Sequence, residues 1–544
     1  MTRTIRASPI ADQVIVDLRG TTFDPGLTQE TLQILKGLRK GNPAFSCDFS
    51  NCVFTGHADF TAAVFGDHSR PQDDHFVDFT DARFDSEVVF THVQFLGRTY
   101  FERTSFTSVT FEQTTFGDDT WFLRTRFGTA VFSDATFAGQ AYFYDVAAES
   151  GLAFTGATFS GRTFLESVTT PNLDLTQAVF SQRATLYLSG GCVADYARFD
   201  DGVAVRLQQC TTSVSMLSLA GVRLGAPSTL TGATPPTTPG SAASRLPQLM
   251  SLAGADVAEL TITDIDLGVC LFAGAINLDK LHMGGTTPFA RPLRRSLLPG
   301  QGPARTRWQA VWRTVWRWCS RGNRPVGREM LMEELVARVG YVHALGQDRD
   351  TRSETSGRVT DDQVKGLYRA LRKAREDVKD EPGAADFYLG EMEARRRGSR
   401  KTERLILTMY RALSGYGQRA GRALMWLVGL LAVLTVLLIG LGLPDTTGAT
   451  QRITGTLEPA YPGGVPRDIA IEVRSPPVTL PPAGQRWTTD RLERATRIAV
   501  GSIVLRDTDL QLTSTGRWTV NTGRALGPLL LALAALAVRA RVKR

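Results

Sequence analysis

The chain has little cysteine, histidine or lysine: six Cys, six His and eight Lys, against 54 Arg, in 544 residues. The cysteines stand at 47, 52, 192, 210, 270 and 319 without C-x-x-C spacing, which excludes a zinc ribbon and a dense disulfide framework. Reduced, packed thiols are expected instead. Phosphate-cradling and nucleophile motifs are missing too: no G-x-G-x-x-G follows a strand, and there is neither a P-loop nor a nucleophile elbow. Neither a cofactor nor a catalytic residue is expected. The opening run MTRTIRASPIADQVIV has no continuous apolar stretch, so a secretory leader is not expected and the first half should stay in the cytoplasm. Basic residues are scarce in the first half and abundant in the second. Residues 1–290 hold 19 Lys+Arg and 30 Asp+Glu, whereas 291–544 hold 43 and 24. A basic half beside apolar segments fits anionic lipid, and an acidic half is repelled by it. The Arg-over-Lys bias reads as GC-rich coding and points to a bacterial source.

What is present, first, is phenylalanine at a spacing of five or six. The run begins with Phe49, Phe54, Phe60 and Phe65, resumes at Phe79 and continues through Phe84, Phe90, Phe95, Phe101, Phe106, Phe111, Phe116, Phe122, Phe127, Phe132, Phe137 and Phe143 to Phe164. Neither an amphipathic helix nor an ordinary strand has this period, so a repeat architecture is indicated. Two residues before these phenylalanines stands a small or β-branched residue, such as Cys47, Cys52, Ala58, Val88, Thr104, Ala135 or Ala157.

Together the two columns resemble the pentapeptide-repeat family, in particular its membrane-anchored, actinobacterial-type bacterial members. The resemblance implies a right-handed quadrilateral β-helix lined by both columns. Phe101, Phe122, Phe143 and Phe164 are spaced by 21, four pentapeptides plus one, and should stack as a ladder. The pattern thins through Leu175, Phe180, Leu186 and Phe199 and returns at Val257, Ile262, Leu267 and Phe272. The expected order is an N-terminal segment over 1–44, β-helix over 45–225, a Pro/Thr/Gly/Ser-rich excursion over 226–246 and final coils over 247–285. Such a rod would be on the order of 50 Å long. In one branch of the family an acidic surface resembles DNA; here the acidic columns are expected only to keep the rod soluble. His57, His68, His75 and His92 cluster early, and the stretch 66–75 reads as a polar bulge rather than a metal site.

Residues 291–348 form an Arg/Trp-rich linker in which Trp308, Trp312 and Trp316 share a helix face. That face suits either the membrane surface or the open end of the β-helix. Residues 361–397 read as a helical hairpin with Val364, Leu367, Tyr368, Leu371 and Ala374 on one apolar face. Its AADFYLGEMEARRR resembles the helical segment ahead of the membrane region in membrane-anchored pentapeptide-repeat proteins.

A basic helix and first transmembrane helix are expected over 403–443, since Ala423–Leu443 is uncharged and long enough to cross a bilayer core. An extracytoplasmic loop over 444–517 follows, with an amphipathic helix at 490–505 whose apolar face is Leu492, Ala495, Ile498, Ala499 and Ile503. The second span is placed at 518–538 and a basic tail at 539–544. Positive charge flanks both spans, which puts both termini in the cytoplasm of a multi-pass membrane protein. Two spans with a helix before the second resemble the pore module of P-loop ion channels, and LTSTGRW at 512–518 is similar to the segment after their filter. The filter position holds Asp507 and Asp509 rather than T-V-G-Y-G, so potassium selectivity does not follow.

The fold expected is therefore a mainly β N-terminal half, a helical linker and two transmembrane helices. The function expected is a non-enzymatic, membrane-anchored interaction scaffold whose partners are the lipid bilayer, an unknown cytoplasmic protein and further copies of itself, with nucleic acid not expected. A degenerate P-loop channel regulated by the β-helix is the alternative. A membrane-associated oxidoreductase, a label carried by some relatives of this architecture, finds no motif in the sequence.

Overall fold

The computed structural model describes residues 14–38, 45–66, 76–208, 215–233, 246–290, 328–339, 359–418, 420–444, 455–457, 467–469, 480–506 and 512–542. The chain divides into two compact units, Met1–Pro303 with Pro325–Gly398, and Ala304–Arg324 with Ser399–Arg544.

In the first unit the chain winds as a parallel β-solenoid of about nine turns. The five-residue period has a local cause, visible at Phe132–Phe137. Phe132 points inward, Asp134 takes a left-handed φ of 55°, and Ala135 donates its amide to the Phe132 carbonyl at 3.2 Å, closing the corner. Ala135 and Phe137 are then buried with Thr136 outward between them. Similar left-handed corners stand at Asn51, Asp81, His92, Arg103, Gln113, Arg124, Asp145 and Gln177. Asn and Asp tolerate that conformation best, and several corner-flanking aspartates reinforce the turn by accepting an amide two residues on.

Successive turns pair in parallel register, so equivalent phenylalanines stack. Phe79, Phe101, Phe122 and Phe143 lie with centroids 5.1, 4.8 and 4.6 Å apart and planes within 7°. A second column runs Phe65, Phe95, Phe116, Phe137, Phe159, Phe180, Phe199. Where the small inward residue is threonine, its hydroxyl donates to a buried carbonyl of the turn before, as Thr125 does to Phe101 at 2.6 Å. The polar atom is thereby satisfied inside an apolar core.

Three expected boundaries move. The solenoid begins before residue 45: Val14–Asp17 pairs with Phe45–Asp48, Thr22–Phe23 pairs with Val53–Phe54, and Phe23 stacks on Phe54 at 4.6 Å. With one phenylalanine, that first coil has no readable period. Helix α1 (Pro25–Leu38) interrupts it and buries Leu32 in the same core. Ser228–Ala233 is a strand paired with Leu260–Thr263, so only 234–245 of the expected excursion lies outside the described residues. At the far end the core extends to Phe289, and Ala290 bridges antiparallel to Met330.

Beyond the solenoid this unit holds α2 (Met332–Val339), α3 (Asp361–Asp377) and α4 (Glu381–Gly398). Thr360 caps α3 in a reciprocal box with Gln363. The expected apolar face of α3 is buried as read. It packs into one core with the last coils, which the sequence alone did not reveal.

The second unit contains α5 (Lys401–Ser414), α6 (Ala420–Leu437) running on as a π-helical turn Leu438–Gly442, α7 (Thr489–Ile503) and α8 (Ser514–Val542). Gly421–Gly442 and Ser514–Leu536 are long and apolar enough to cross a membrane. The second apolar helix starts at Ser514, ahead of the 518 expected for the second span, because Thr513 caps it: its hydroxyl accepts the Gly516 amide at 3.0 Å. The helix expected at 490–505 is α7; Leu492, assigned to its inner face, is exposed instead.

Candidate functional site

The ladder residues lie where expected with one exception. Phe143 pairs with Leu165, not with Phe164, because that turn is 22 residues long rather than 21. Phe164 consequently faces outward and stacks on Tyr142 at 5.3 Å, extending an external column of Tyr100, Trp121 and Tyr142. This half-exposed aromatic stripe was not legible, since its members fall between the repeat positions.

The acidic residues of the solenoid surface are largely engaged locally. Asp48, Asp59, Asp78, Asp174, Asp256 and Asp266 each accept a backbone amide two residues on, at 2.7–3.2 Å. Asp81 forms a paired bridge with Arg103 at 2.7 Å, and Asp85 bonds Arg83 at 2.5 Å. These carboxylates build turns and cross-turn ties. Cys47, Cys192 and Cys270 are buried, and burial pushes each thiol well above its ordinary value, which suits packing and not nucleophilic chemistry. His57 is exposed, 3.7 Å from Glu87, and His92 occupies a left-handed corner. His68 and His75 lie outside the described residues, as do Trp308, Trp312 and Trp316 and also Asp507 and Asp509.

The last coil ends on a polar cap. Inside the solenoid the amide at this corner donates to a carbonyl of the following turn, as Phe132 does to Ala153 at 2.7 Å and Leu252 to Leu271 at 2.8 Å. At Phe272 no further turn follows among the described residues, and the carboxylate of Glu333 accepts the amide. Burial raises Glu333 above the usual carboxylate range. Next to it, the fully buried Glu334 accepts from Arg328 at 2.5 Å, from Arg397 at 3.0 Å and from the Tyr368 hydroxyl. Burial and that carboxylate push the Tyr368 phenol up, so it remains a donor. Arg397 also bonds Asp361 at 2.8 Å, tying the end of α4 to the start of α3. Lys373 bonds Asp279 at 2.8 Å, and Arg375 lies over the Phe289 ring at 5.5 Å. The hairpin is therefore the lid of the solenoid, an alternative that the sequence reading had offered only to the tryptophans.

In the second unit α7 is wedged between the two long helices. Its first turn is held at the end of α6: Arg491 donates to the carbonyls of Leu443, Pro444 and Ile439 at 2.6, 3.3 and 3.4 Å, and Arg486 to Gly440 at 3.1 Å. The π-helical turn and the C-terminus of α6 leave these carbonyls without helical partners, and the guanidinium groups satisfy them. From there α7 buries Ala495, Ile498, Ala499 and Ile503 against Leu434, Leu438 and Val520. Glycines make the approach close. A β-carbon on Gly523 would fall 2.4 Å from the Ser502 hydroxyl, and one on Gly527 would fall 2.8 Å from the Ile503 backbone. Gly527 lies beyond the middle of Ser514–Leu536, so α7 runs from one end of the two long helices to about half their length. A similar glycine pair, Gly442 and Gly516, joins α6 to the start of α8.

A family model described as pentapeptide repeats (9 copies) matches residues 79–125 and 101–147. No curated protein and no solved structure matches the chain. The matched stretch is the phenylalanine-rich heart of the solenoid.

Proposed function

We propose that this protein is a membrane-anchored scaffold that displays a capped pentapeptide-repeat β-helix to protein partners. The observation that carries the reading is the reversal of apolar surface between the two units. The solenoid keeps most of its large apolar side chains inside, the outer aromatic column excepted. The second unit exposes Leu424, Met425, Val428, Val433 and Val436 on α6 and Leu526, Leu529, Leu531 and Leu536 on α8. Only 22 % and 28 % of the apolar window of each helix is buried, less than is usual for the core helices of a water-soluble bundle, which supports a lipid surrounding. Surface of this extent is stable in lipid and not in water. Helix α5 adds an interfacial signature: Leu405, Ile406 and Met409 are exposed beside Lys401, Arg404 and Arg411. Trp426 at the base of α6 donates its indole N–H to Ala412 at 3.1 Å.

Reporters inserted at Arg397 and Gln485 and fused to the C-terminus test the anchoring in cells. The scaffold with two spans expects Gln485 alone outside. A cytoplasmic Gln485 removes the second span. For the partner, the whole chain purified from its own membranes is expected to bring a reproducible cytoplasmic protein, and a bare preparation counts against the scaffold.

A second reading is favoured by α7, a helix ending at half depth between two spans, which is the arrangement of a pore module. The C-terminal end of such a helix turns its carbonyls, with their partial negative charge, toward the membrane centre and so favours a cation there. The purified protein in planar bilayers would then carry current that Asp507→Asn or Asp509→Asn alters. Electrical silence excludes the pore and leaves the anchor.

A further inference from the structure

We propose that the exposed face of α5 docks on the membrane leaflet at the base of α6 and selects anionic phospholipid there; the inference rests on the two-span anchoring above and adds the headgroup that the anchor recognises. Leu405, Ile406 and Met409 on α5 are 63 %, 66 % and 55 % exposed. At the angular step of an α-helix these three share an arc about 100° wide, and Lys401, Arg404, Thr408 and Arg411 line one edge of it. Lys401 and Arg404 are exposed as well. Glu403, the one acid of the helix, points away from that edge and is partly buried. The exposed face of α5 is therefore apolar with a basic border.

The turn after α5 decides where this face sits. Gly415, Tyr416 and Gly417 are all left-handed, with φ of 58°, 58° and 78°, so the helix stops and the chain changes direction before α6. The Gly417 amide donates to the Ser414 hydroxyl at 3.1 Å, and Tyr416 meets Tyr410 edge-on at 5.8 Å, which fixes the turn. The bond from the Trp426 indole to the Ala412 carbonyl then holds the last turn of α5 beside the second turn of α6, close to where the apolar stretch Gly421–Gly442 begins. For a span, that level is the boundary between headgroups and acyl chains, and an amphipathic helix held there buries its apolar arc while its basic edge meets phosphate. Charge decides which phosphate. A zwitterionic headgroup is neutral overall, whereas an anionic leaflet favours each lysine or arginine near its surface by about fivefold. The basic border of α5 thus matches anionic lipid, and the span to which it is tied delivers it to that surface.

The test uses the full chain with an environment-sensitive fluorescent amino acid at position 409, reconstituted in nanodiscs of phosphatidylcholine alone and of phosphatidylcholine mixed with phosphatidylglycerol. Quenching of the probe by brominated acyl chains is expected to be several-fold stronger in the mixed discs and to weaken as salt is raised. Lys401→Gln with Arg404→Gln should bring the mixed discs down to the level of phosphatidylcholine, whereas the charge-conserving pair Lys401→Arg with Arg404→Lys should keep the difference, which separates charge from folding. Equal quenching in both discs overturns the selection, and a probe left in water in both overturns the docking. A probe that neither lipid nor an aqueous quencher reaches is covered by protein, and that too overturns the inference. In each of these cases a chain retained in the alkaline-washed membrane pellet leaves the anchor standing. A chain washed out of the pellet overturns the anchor, and the inference falls with it.

Discussion

A phenylalanine inside the solenoid meets its equivalent in the turn above and in the turn below, so each ring is held by two stacking contacts as well as by burial. Phe122 touches both Phe101 and Phe143 at under 5 Å. Phe122→Ala should destabilise the solenoid by about 3–5 kcal/mol, as large aromatic deletions do, whereas Phe164→Ala, at the outer column, should cost about 1 kcal/mol or less. Thermal unfolding followed by far-ultraviolet circular dichroism separates the two. The contrast shows what was legible at this scale. Counting by five found nearly every inward residue, but counting by 21 misplaced Phe164, because turn length varies: Leu165 pairs with Leu186 after 21 residues, Leu186 with Val205 after 19 and Leu230 with Ile262 after 32. Glu333 supplies a second test. Its folded-state pKa lies above the ordinary 4.5, so the folded chain keeps a proton that the unfolded chain has released. Its favourable contribution is therefore full below about 4.5 and is lost as pH rises through the raised value. Glu333→Gln should flatten that part of the pH dependence of thermal unfolding; an unchanged slope would place the titration elsewhere.

The helices follow a different rule, because a local pattern names the buried face and not what buries it. The spacing of Val364, Leu367, Tyr368 and Leu371 was readable, yet their partner is a coil some hundred residues earlier in the chain. Likewise Ala495, Ile498 and Ala499 gave the inner face of α7, while the close approach depends on Gly523 and Gly527, which were read only as part of a span. Tyr368→Phe removes a donor from the buried Glu334 and should loosen the lid by about 1–3 kcal/mol. Hydrogen exchange should then rise in 361–397 ahead of the solenoid; simultaneous loss of protection in both would mean that they open as one. Gly523→Leu meets Ser502 and Leu434 directly and should displace α7, read as a large loss of folded protein in detergent, whereas Gly429→Leu, with nothing within 4 Å, should be tolerated.

For the whole molecule, the sequence shows two kinds of material with opposite charge and opposite placement of apolar side chains, and that division was the most legible feature of all. The solenoid gains stability turn by turn, since each coil contacts chiefly its neighbours. Its stability should accordingly depend on the number of intact turns more than on any distant residue. Among the described residues the final coil is covered by a glutamate, and here the structure bears on growth. A parallel stack of coils has no inherent length: its last row of amides will accept another strand from any chain that offers one. By placing the Glu333 side chain on the Phe272 amide, the protein closes that row with a group that is not itself a strand and offers no further row of amides and carbonyls. The stack is in effect a one-dimensional polymer carrying its own chain terminator. A chain ended at residue 290 would lack that terminator and is expected to join end to end into filaments visible by electron microscopy.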